Sequence, residues 1–348
     1  MKRIPEEDLL RIYNQTHSLW PAVKNKKIFI TGATGFFGKW LLESFDYINK
    51  KLALNAEVYA LSRNPESFLK EFPFYANHPS IKLLKGDVMN FDFPDEEFHY
   101  IIHAATDADA RLNTENPLLM MDTITLGTRR ILDFAKTQPA EAFLLTSSGA
   151  VYGKQPSTIE HVTEEESYPV NINDPASAYA EGKRIAELYC STYYKQYDLP
   201  VKIARCFAFV GPYLPLDKHF AIGNFILNGL NNQDIVIKGD GSPYRSYLYA
   251  ADLTIWLWTI LFKGKANSPY NVGSDESVNI KETAEAVARN FNHSISIRIE
   301  GKPTNLPVQR YVPNVDKAKS ELSLHVGYDI DKAIQQTILF YKQALLPN

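Results

Sequence analysis

Apolar and polar positions change rhythm between Lys26 and Ile48. Ile28-Phe29-Ile30 is a short run of β-formers closed by a glycine-rich turn, and apolar residues then recur at Phe36, Trp40, Leu41, Phe45 and Ile48. The first rhythm predicts a buried strand and the second a helix with one apolar face. Between them stand Gly32, Gly35 and Gly38, a G-x-x-G-x-x-G spacing. One glycine permits the turn, one lets the backbone approach a pyrophosphate, and one lets helix and strand pack closely. The N–H groups that open the helix then offer a site for negative charge. A tight strand-to-helix connection would account for glycines by itself. The strand before, the helix after and the place near the N-terminus favour a nucleotide site.

The alternation continues along the chain. Glu57–Leu61, Ile81–Leu84, His99–Ala105 and Ala142–Thr146 read as further strands, and Pro117–Lys136 and Ala178–Tyr197 as helices. Strands alternating with helices predict an α/β fold with a doubly wound parallel sheet, whose ligands bind beyond the strands' carboxyl ends. Ahead of the first strand, Leu9, Leu10, Ile12 and Tyr13, with Trp20 further on, suggest a short amphipathic helix laid on the domain surface. The longest apolar run, Leu253–Phe262, is about half the roughly 20 residues a membrane span needs and reads as a buried helix begun near Asp252.

At 348 residues the chain exceeds the roughly 250–300 at which a single core stops growing. The expected division is a leader over 1–25, a dinucleotide-binding (Rossmann) domain over 26–205, and a smaller C-terminal lobe over 206–348 with segments returning to the sheet. A net charge of −3 argues against nucleic acid as a partner. Cys190 and Cys206 make neither a disulfide framework nor a metal cluster, and no signal peptide is visible, so a cytoplasmic setting is expected. Aromatic residues make up 12% of the chain, enough to line a pocket as well as a core.

Chemistry gathers at the strand ends. After the second strand stand Ser62 and Arg63, where an acidic residue would grip a ribose 2′-hydroxyl and repel a 2′-phosphate. Without that acid the reading leans to NADP over NAD. Asp87 follows the third strand, within reach of an adenine amino group. His103, before the small residues Ala104 and Ala105, supports the turn beneath the cofactor rather than binding metal. Ser148 closes the fifth strand. Tyr179 and Lys183 lie four apart and share a helical face. A lysine beside a tyrosine stabilises phenolate, and a serine hydroxyl can share the proton with a substrate. Taken alone the Tyr-x-x-x-Lys pair would be a solvated surface pair; with the glycine turn and the serine it reads as catalytic.

TGATGFFG, GDV, HAAT, TSSGAVYG, YAEGK and GPYLP, in this order and spacing, resemble the extended short-chain dehydrogenase/reductase family. More narrowly, they resemble its nucleotide-sugar epimerases, dehydratases and decarboxylases. The resemblance implies that Tyr179 is the base for a sugar hydroxyl, that Lys183 holds the nicotinamide ribose and that Ser148 completes the relay. It implies cofactor contacts from Gly32, Thr34, Gly35, Phe36, Phe37 and Gly38. Ser62, Arg63, Asp87 and Val88, and Ala104, Ala105 and Thr106, would add to them. Asn224, Arg245 and Arg310 would bind the nucleotide sugar, an arginine fork on the diphosphate being what that side chain does well. The resemblance also implies a homodimer, its helices Pro117–Lys136 and Ala178–Tyr197 pairing through Leu118, Leu119, Ile124, Ile131, Ile185 and Leu188.

The chain departs from relatives in several places. Ala208 stands where they have asparagine, and an asparagine that relatives use behind the cofactor is missing near Ile124. Gly149 and Ala150 stand where the 4,6-dehydratases have Asp-Glu and the decarboxylases a glutamate at the second position. The implied activity is NAD(P)-dependent hydride transfer at C4 of a nucleotide-linked sugar, as a 4-epimerase or 4-ketoreductase. A dehydratase or decarboxylase is the alternative. A non-catalytic dinucleotide sensor is the alternative of another class, disfavoured by the joint presence of Tyr179, Lys183 and Ser148.

Overall fold

The computed structural model describes residues 2–106, 110–218, 220–303 and 305–345. Helix α1 (Glu6–Thr16) leads to β1 (Lys27–Thr31), α2 (Phe36–Leu52), β2 (Glu57–Ser62), α3 (Pro65–Glu71), β3 (Ile81–Lys85) and β4 (Tyr100–His103). Then come α4 (Ala110–Glu115), α5 (Pro117–Ala135), β5 (Ala142–Ser148), α6 (Ala178–Tyr197) and β6 (Val201–Cys206). The chain continues through β7 (Phe209–Val210), α7 (Ala221–Leu230), β8 (Ile235–Ile237), β9 (Tyr244–Arg245), β10 (Leu248–Tyr249) and α8 (Ala250–Lys263). It ends with β11 (Pro269–Val272), β12 (Val278–Asn279), α9 (Ile280–Arg289), β13 (Ile297–Ile299), β14 (Arg310–Tyr311), α10 (Asp316–Leu322) and α11 (Ile330–Leu345).

Seven strands form one sheet in the order β11-β6-β5-β4-β1-β2-β3. Strand β1 pairs in parallel with both β2 and β4, so the winding reverses there and the carboxyl ends of β1 and β4 open the crevice where such sheets bind ligands. The expected α/β architecture is therefore found. All seven residues of β5 are buried, as a strand covered on both faces requires. Around Phe29 the rings of Phe134 and Phe98 lie 5.1 and 5.2 Å away. Strand β4 is shorter than the expected His99–Ala105. After His103 the backbone turns, Thr106 N donating to Ala104 O at 3.1 Å.

Two compact units divide the chain. The first takes in residues 1–151, 170–205 and 254–270 and carries the body of the sheet; the second takes in 152–169, 206–253 and 271–348. In the second, β9 pairs antiparallel with β12 and parallel with β14, which sets Tyr244 opposite Arg310 and Arg245 opposite Tyr311.

The leader does more than lie on a surface. Trp20 is wholly buried, its ring 4.7 Å from Trp258 and 5.4 Å from Phe262, and its Nε1 donates to Thr16 Oγ1. Arg3 reaches Glu43 Oε2 at 3.2 Å and Asp46 Oδ2 at 3.1 Å. Both carboxylates are buried on α2, and buried charge is tolerated only when paired. The run Leu253–Phe262 lies inside α8, with Trp256 and Trp258 fully buried. Among the described residues no helix is long and apolar enough to cross a membrane.

Helices α5 and α6 pack on each other, which corrects the expected outer face. Ile124 and Ile131 lie in the chain's own core, and a Cβ at Gly182 would come within 3.2 Å of Ile124 Cδ1. The two isoleucines are seven apart, on one stripe of α5, and that stripe is the one turned inward. Ile185 is half-buried. Leu118 and Leu188 are 74% and 65% exposed, and Leu119 is exposed as well.

Candidate active site

The glycine turn is built by close backbone approach. Gly32 has φ +70°, and a Cβ on it would stand 2.3 Å from the Ala104 carbonyl oxygen. A Cβ on Gly38 would stand 2.2 Å from the carbonyl carbon of Ala33. Helix α2 begins after Gly35 with no capping side chain, which keeps its first turn available to an anion. A cleft of about 300 Å³ opens there. Gly32, Thr34 and Gly35 line it with Ser62 and Arg63 after β2, Asp87 and Val88 after β3, and Ala104, Ala105 and Thr106 after β4. Gly86, the glycine of GDV, completes it with Leu61 and Thr123, which the sequence did not mark as site residues. Phe36 and Phe37 stand on the first turn of α2 with rings 5.7 Å apart.

Ser62 Oγ lies 3.4 Å from Thr34 Oγ1 and accepts from Asn64 N at 3.3 Å. Arg63 is exposed beside it. Asp87 Oδ1 accepts from Met89 N at 2.9 Å, which fixes the carboxylate at the cleft. Steric room that only glycine leaves, an uncapped helix start and a polar rim at the second strand together fit a dinucleotide.

His103 belongs to the frame. Its Nδ1 lies 2.8 Å from Thr31 Oγ1 and its Nε2 3.1 Å from Thr128 Oγ1. Both ring nitrogens are thus satisfied by threonine hydroxyls, and Thr31 Oγ1 also accepts from Ala105 N at 3.2 Å. Complete burial, with the Lys183 charge nearby, pushes the pKa down to about 3. The ring is neutral at working pH and is no proton carrier.

Lys183, 3% exposed, donates from Nζ to Thr146 O at 2.9 Å and to Thr106 Oγ1 at 3.0 Å. The same Nζ lies 5.9 Å from the Tyr179 ring centroid. The start of α6 is held from outside the helix. Tyr179 N donates to Asn113 Oδ1 at 3.1 Å, and Asn113 Nδ2 donates to Ala176 O at 2.8 Å. Nothing in the sequence marked Asn113, because the contact spans 66 residues and one exposed-looking polar side chain carries no pattern. Ser148 is buried at the end of β5, and its Oγ accepts from Ala150 N at 3.1 Å. Gly149 and Ala150 follow in a tight 3-10 turn and bring no acid or base to it.

The expected substrate residues lie in the second unit. Asn224 donates from Nδ2 to Lys218 O at 2.7 Å and to Phe220 O at 3.0 Å, and so braces the start of α7. Arg245 Nη1 donates to Tyr244 O at 2.7 Å. The Arg310 guanidinium lies 4.3 Å over the Tyr244 ring, and its Nε is buried with no hydrogen-bond partner among the described residues. Adjacent strands thus bring the two arginines to one small sheet.

A doubly wound sheet, a glycine turn at its switch point and a Tyr-Lys pair one helical turn apart define an enzyme of the extended short-chain dehydrogenase/reductase type. The model of the NAD dependent epimerase/dehydratase family matches residues 28–273, and the chain belongs to that family. It is similar to UDP-glucuronic acid decarboxylase 3 of Arabidopsis thaliana, 31% identical over 300 residues, which are 86% of this chain and 84% of the relative. Among solved structures, the UDP-glucuronic acid 4-epimerase of Bacillus cereus in complex with UDP-glucuronic acid and NAD has a TM-score of 0.78 at 20% identity. The match covers 91% of this chain and 99% of that one. The UDP-N-acetylglucosamine 4-epimerase of Methanobrevibacter ruminantium has a TM-score of 0.79 at 20% identity, over 92% of this chain and all of that one. These two likenesses show a shared fold.

Proposed function

We propose that the enzyme oxidises a nucleotide-linked sugar at C4 and reduces it again within one turnover, without eliminating water. The observation that carries this reading is Lys183, buried against Thr146 and Thr106 at the cleft and one helical turn from Tyr179. When bound, a nicotinamide supplies acceptance and return of hydride. The glycine turn, Ser62, Arg63 and Asp87 would hold that cofactor, with Lys183 on its ribose. Tyr179 takes the C4 hydroxyl proton as the ketone forms and returns it afterwards. The Lys183 ammonium favours phenolate on Tyr179. Ser148 shares the proton with the sugar oxygen, and Arg245 and Arg310 hold the diphosphate.

Elimination needs a base beside the ketone and an acid at the leaving hydroxyl, and Gly149 and Ala150 supply neither. Loss of carbon dioxide asks for less. A C4 ketone stands β to the carboxylate of a uronic acid, so the C5–C6 bond breaks, its electron pair passes to the C4 oxygen as an enolate, and C5 is then protonated. The decarboxylase relatives support this reading, with a UDP-uronic acid as substrate. Epimerisation at C4 is the second reading. It is favoured by Ala150, which leaves no carboxylate at the position where the resemblance expects one. Wild-type enzyme with UDP-glucuronic acid, UDP-glucose and their dTDP counterparts, followed by NMR and carbon dioxide release, should give a C4 epimer or a pentose. A 4-keto-6-deoxy sugar as main product would overturn the reading.

The cofactor reading remains NADP over NAD. Arg63 lines the cleft beside Ser62, and the end of β2 has no carboxylate to repel a 2′-phosphate. Because Arg63 is exposed, the low end of the range for a charged hydrogen bond applies. Arg63→Ala should cost NADP about 1.5 kcal/mol and leave NAD nearly unchanged in titration calorimetry. Equal losses, or a wild type that prefers NAD about tenfold, a gap of about 1.4 kcal/mol, would reverse the assignment.

A homodimer through the exposed stripe of α5 and α6 is the expected assembly. Leu118, Leu119 and Leu188 form it without Ile124 and Ile131. Light scattering at micromolar concentration should give twice the chain mass, and a monomer there would contradict it.

A further inference from the structure

Behind the Tyr179–Lys183 pair three side chains from three elements are bound together. Ser147 Oγ, on β5, donates to Glu187 Oε1 at 2.5 Å. Arg205, on β6, donates from Nη2 to Glu187 Oε2 at 2.8 Å and from Nε to both carboxylate oxygens at 3.1 and 3.2 Å. The side chains of Glu187 and Arg205 are only 12% and 14% exposed. Glu187 follows Lys183 by four residues, as Lys183 follows Tyr179, so the three share one stripe of α6. On β5 the neighbours matter equally. Thr146 gives its carbonyl to Lys183, Ser147 binds Glu187, and Ser148 closes the strand. One short strand end therefore grips α6 twice, one turn apart, and presents the third hydroxyl.

Stability alone is a weak reason for such a bridge, because apolar residues of similar volume often serve a buried pair's place as well or better. Its location is informative. We infer that the Ser147–Glu187–Arg205 bridge is a positioning device that fixes the register of α6 against β5. It thereby sets Ser148 and the Thr146 carbonyl of β5 relative to Tyr179 and Lys183 of α6, while Arg205 cancels the carboxylate charge behind the lysine. The inference rests on Tyr179 being the proton carrier. Other charged groups on the surrounding elements include Arg130 on α5, which donates to Phe91 O at 2.6 Å, Lys202 on β6, which donates to Gly264 O, and the exposed Asp122 on α5 and Lys195 on α6. His103 on β4 is neutral, Glu181 pairs with Arg184 on α6 at 2.9 Å, and Arg129 pairs with Asp133 on α5 at 3.2 Å. Removing half of the Glu187–Arg205 pair therefore leaves net charge beside Lys183.

The test compares Ser147→Ala, Ser147→Thr, Glu187→Gln and Arg205→Met in the full-length enzyme, with UDP-glucuronic acid and UDP-glucose as probes. Product formation is followed across pH by NMR and carbon dioxide release, with thermal melts alongside. Ser147→Ala should lower kcat about tenfold, a change of about 1.4 kcal/mol in the barrier. KM should stay within about twofold, and Ser147→Thr should restore most of the rate. Glu187→Gln leaves an unbalanced guanidinium, which favours phenolate, so the rising limb of kcat should move to lower pH. Arg205→Met leaves an unbalanced carboxylate and should move that limb to higher pH, each by about one unit for a charge roughly 10 Å away. Opposite shifts support the device, since a loss of packing gives no sign. Unchanged kcat and limb in Ser147→Ala and Glu187→Gln, or losses that only follow the unfolded fraction, overturn it even if Arg205→Met does not fold. Tyr179→Phe, run beside them, separates the two ideas. If it keeps turnover, the base assignment falls; if it is dead while the bridge variants match wild type, only the bridge falls.

Discussion

Tyr179→Phe should fold as the wild type does and lose roughly 10²–10⁴-fold in turnover, the range for a positioned proton carrier. The ring packs against the core beside α5, and the Tyr179 amide is held by Asn113, so both anchors survive loss of the hydroxyl. What disappears is the phenol hydroxyl assigned to accept and return the proton. Lys183 cannot substitute for it, because its ammonium is committed to Thr106 and Thr146. Dinucleotide affinity should stay close to wild type, since the glycine turn and the end of β2 are untouched. Near-wild-type turnover on the true substrate would remove Tyr179 from the mechanism.

The second large effect lies in the fold that carries the cofactor. Gly38 is inside α2, where helix propensity alone makes alanine better by about 1 kcal/mol. Sterics act against it and win. A Cβ there would stand 2.2 Å from the Ala33 carbonyl carbon and 2.3 Å from its Cα, and backbone cannot step aside as a side chain can. Gly38→Ala should therefore destabilise the protein by about 3 kcal/mol, the upper end for an overpacked core, and weaken dinucleotide binding with it. Urea unfolding with and without cofactor measures both. A variant as stable as wild type would show that helix and turn pack less closely than described.

How much of this was legible in the sequence depends on distance along the chain. The turn of Gly32, Gly35 and Gly38 and the spacing of Tyr179 and Lys183 are local patterns. Period and residue type expose them. Periodicity showed that α5 has an apolar stripe with Ile124 and Ile131, yet could not say which stripe turns inward, so both were placed on an outer face when they are core. Local sequence marks Trp20 only as part of a surface leader, because its burial depends on Trp258 and Phe262, far along the chain. Strand β4 is shorter than its apolar run, since nothing local shows that the backbone turns as soon as His103 is seated between Thr31 and Thr128. The two-residue strands that carry Arg245 and Arg310 are shorter than any period can register. Asn113, Glu187 and Arg205 gave no signal, because each matters through a partner that only folding supplies.

The claim at the centre of the account is oxidation at C4, and isotopic transfer from that carbon tests it most directly. UDP-glucuronic acid and UDP-glucose carrying deuterium at C4 would be mixed in turn with an excess of the enzyme loaded with oxidised cofactor. The mixture would be quenched within one turnover and the released nicotinamide weighed by mass spectrometry. The account predicts deuterium in the reduced cofactor with at least one of the two sugars, and none when Tyr179→Phe replaces the wild type. Product formation with a reduced cofactor that carries no deuterium, or turnover with no reduced cofactor at all, would contradict it.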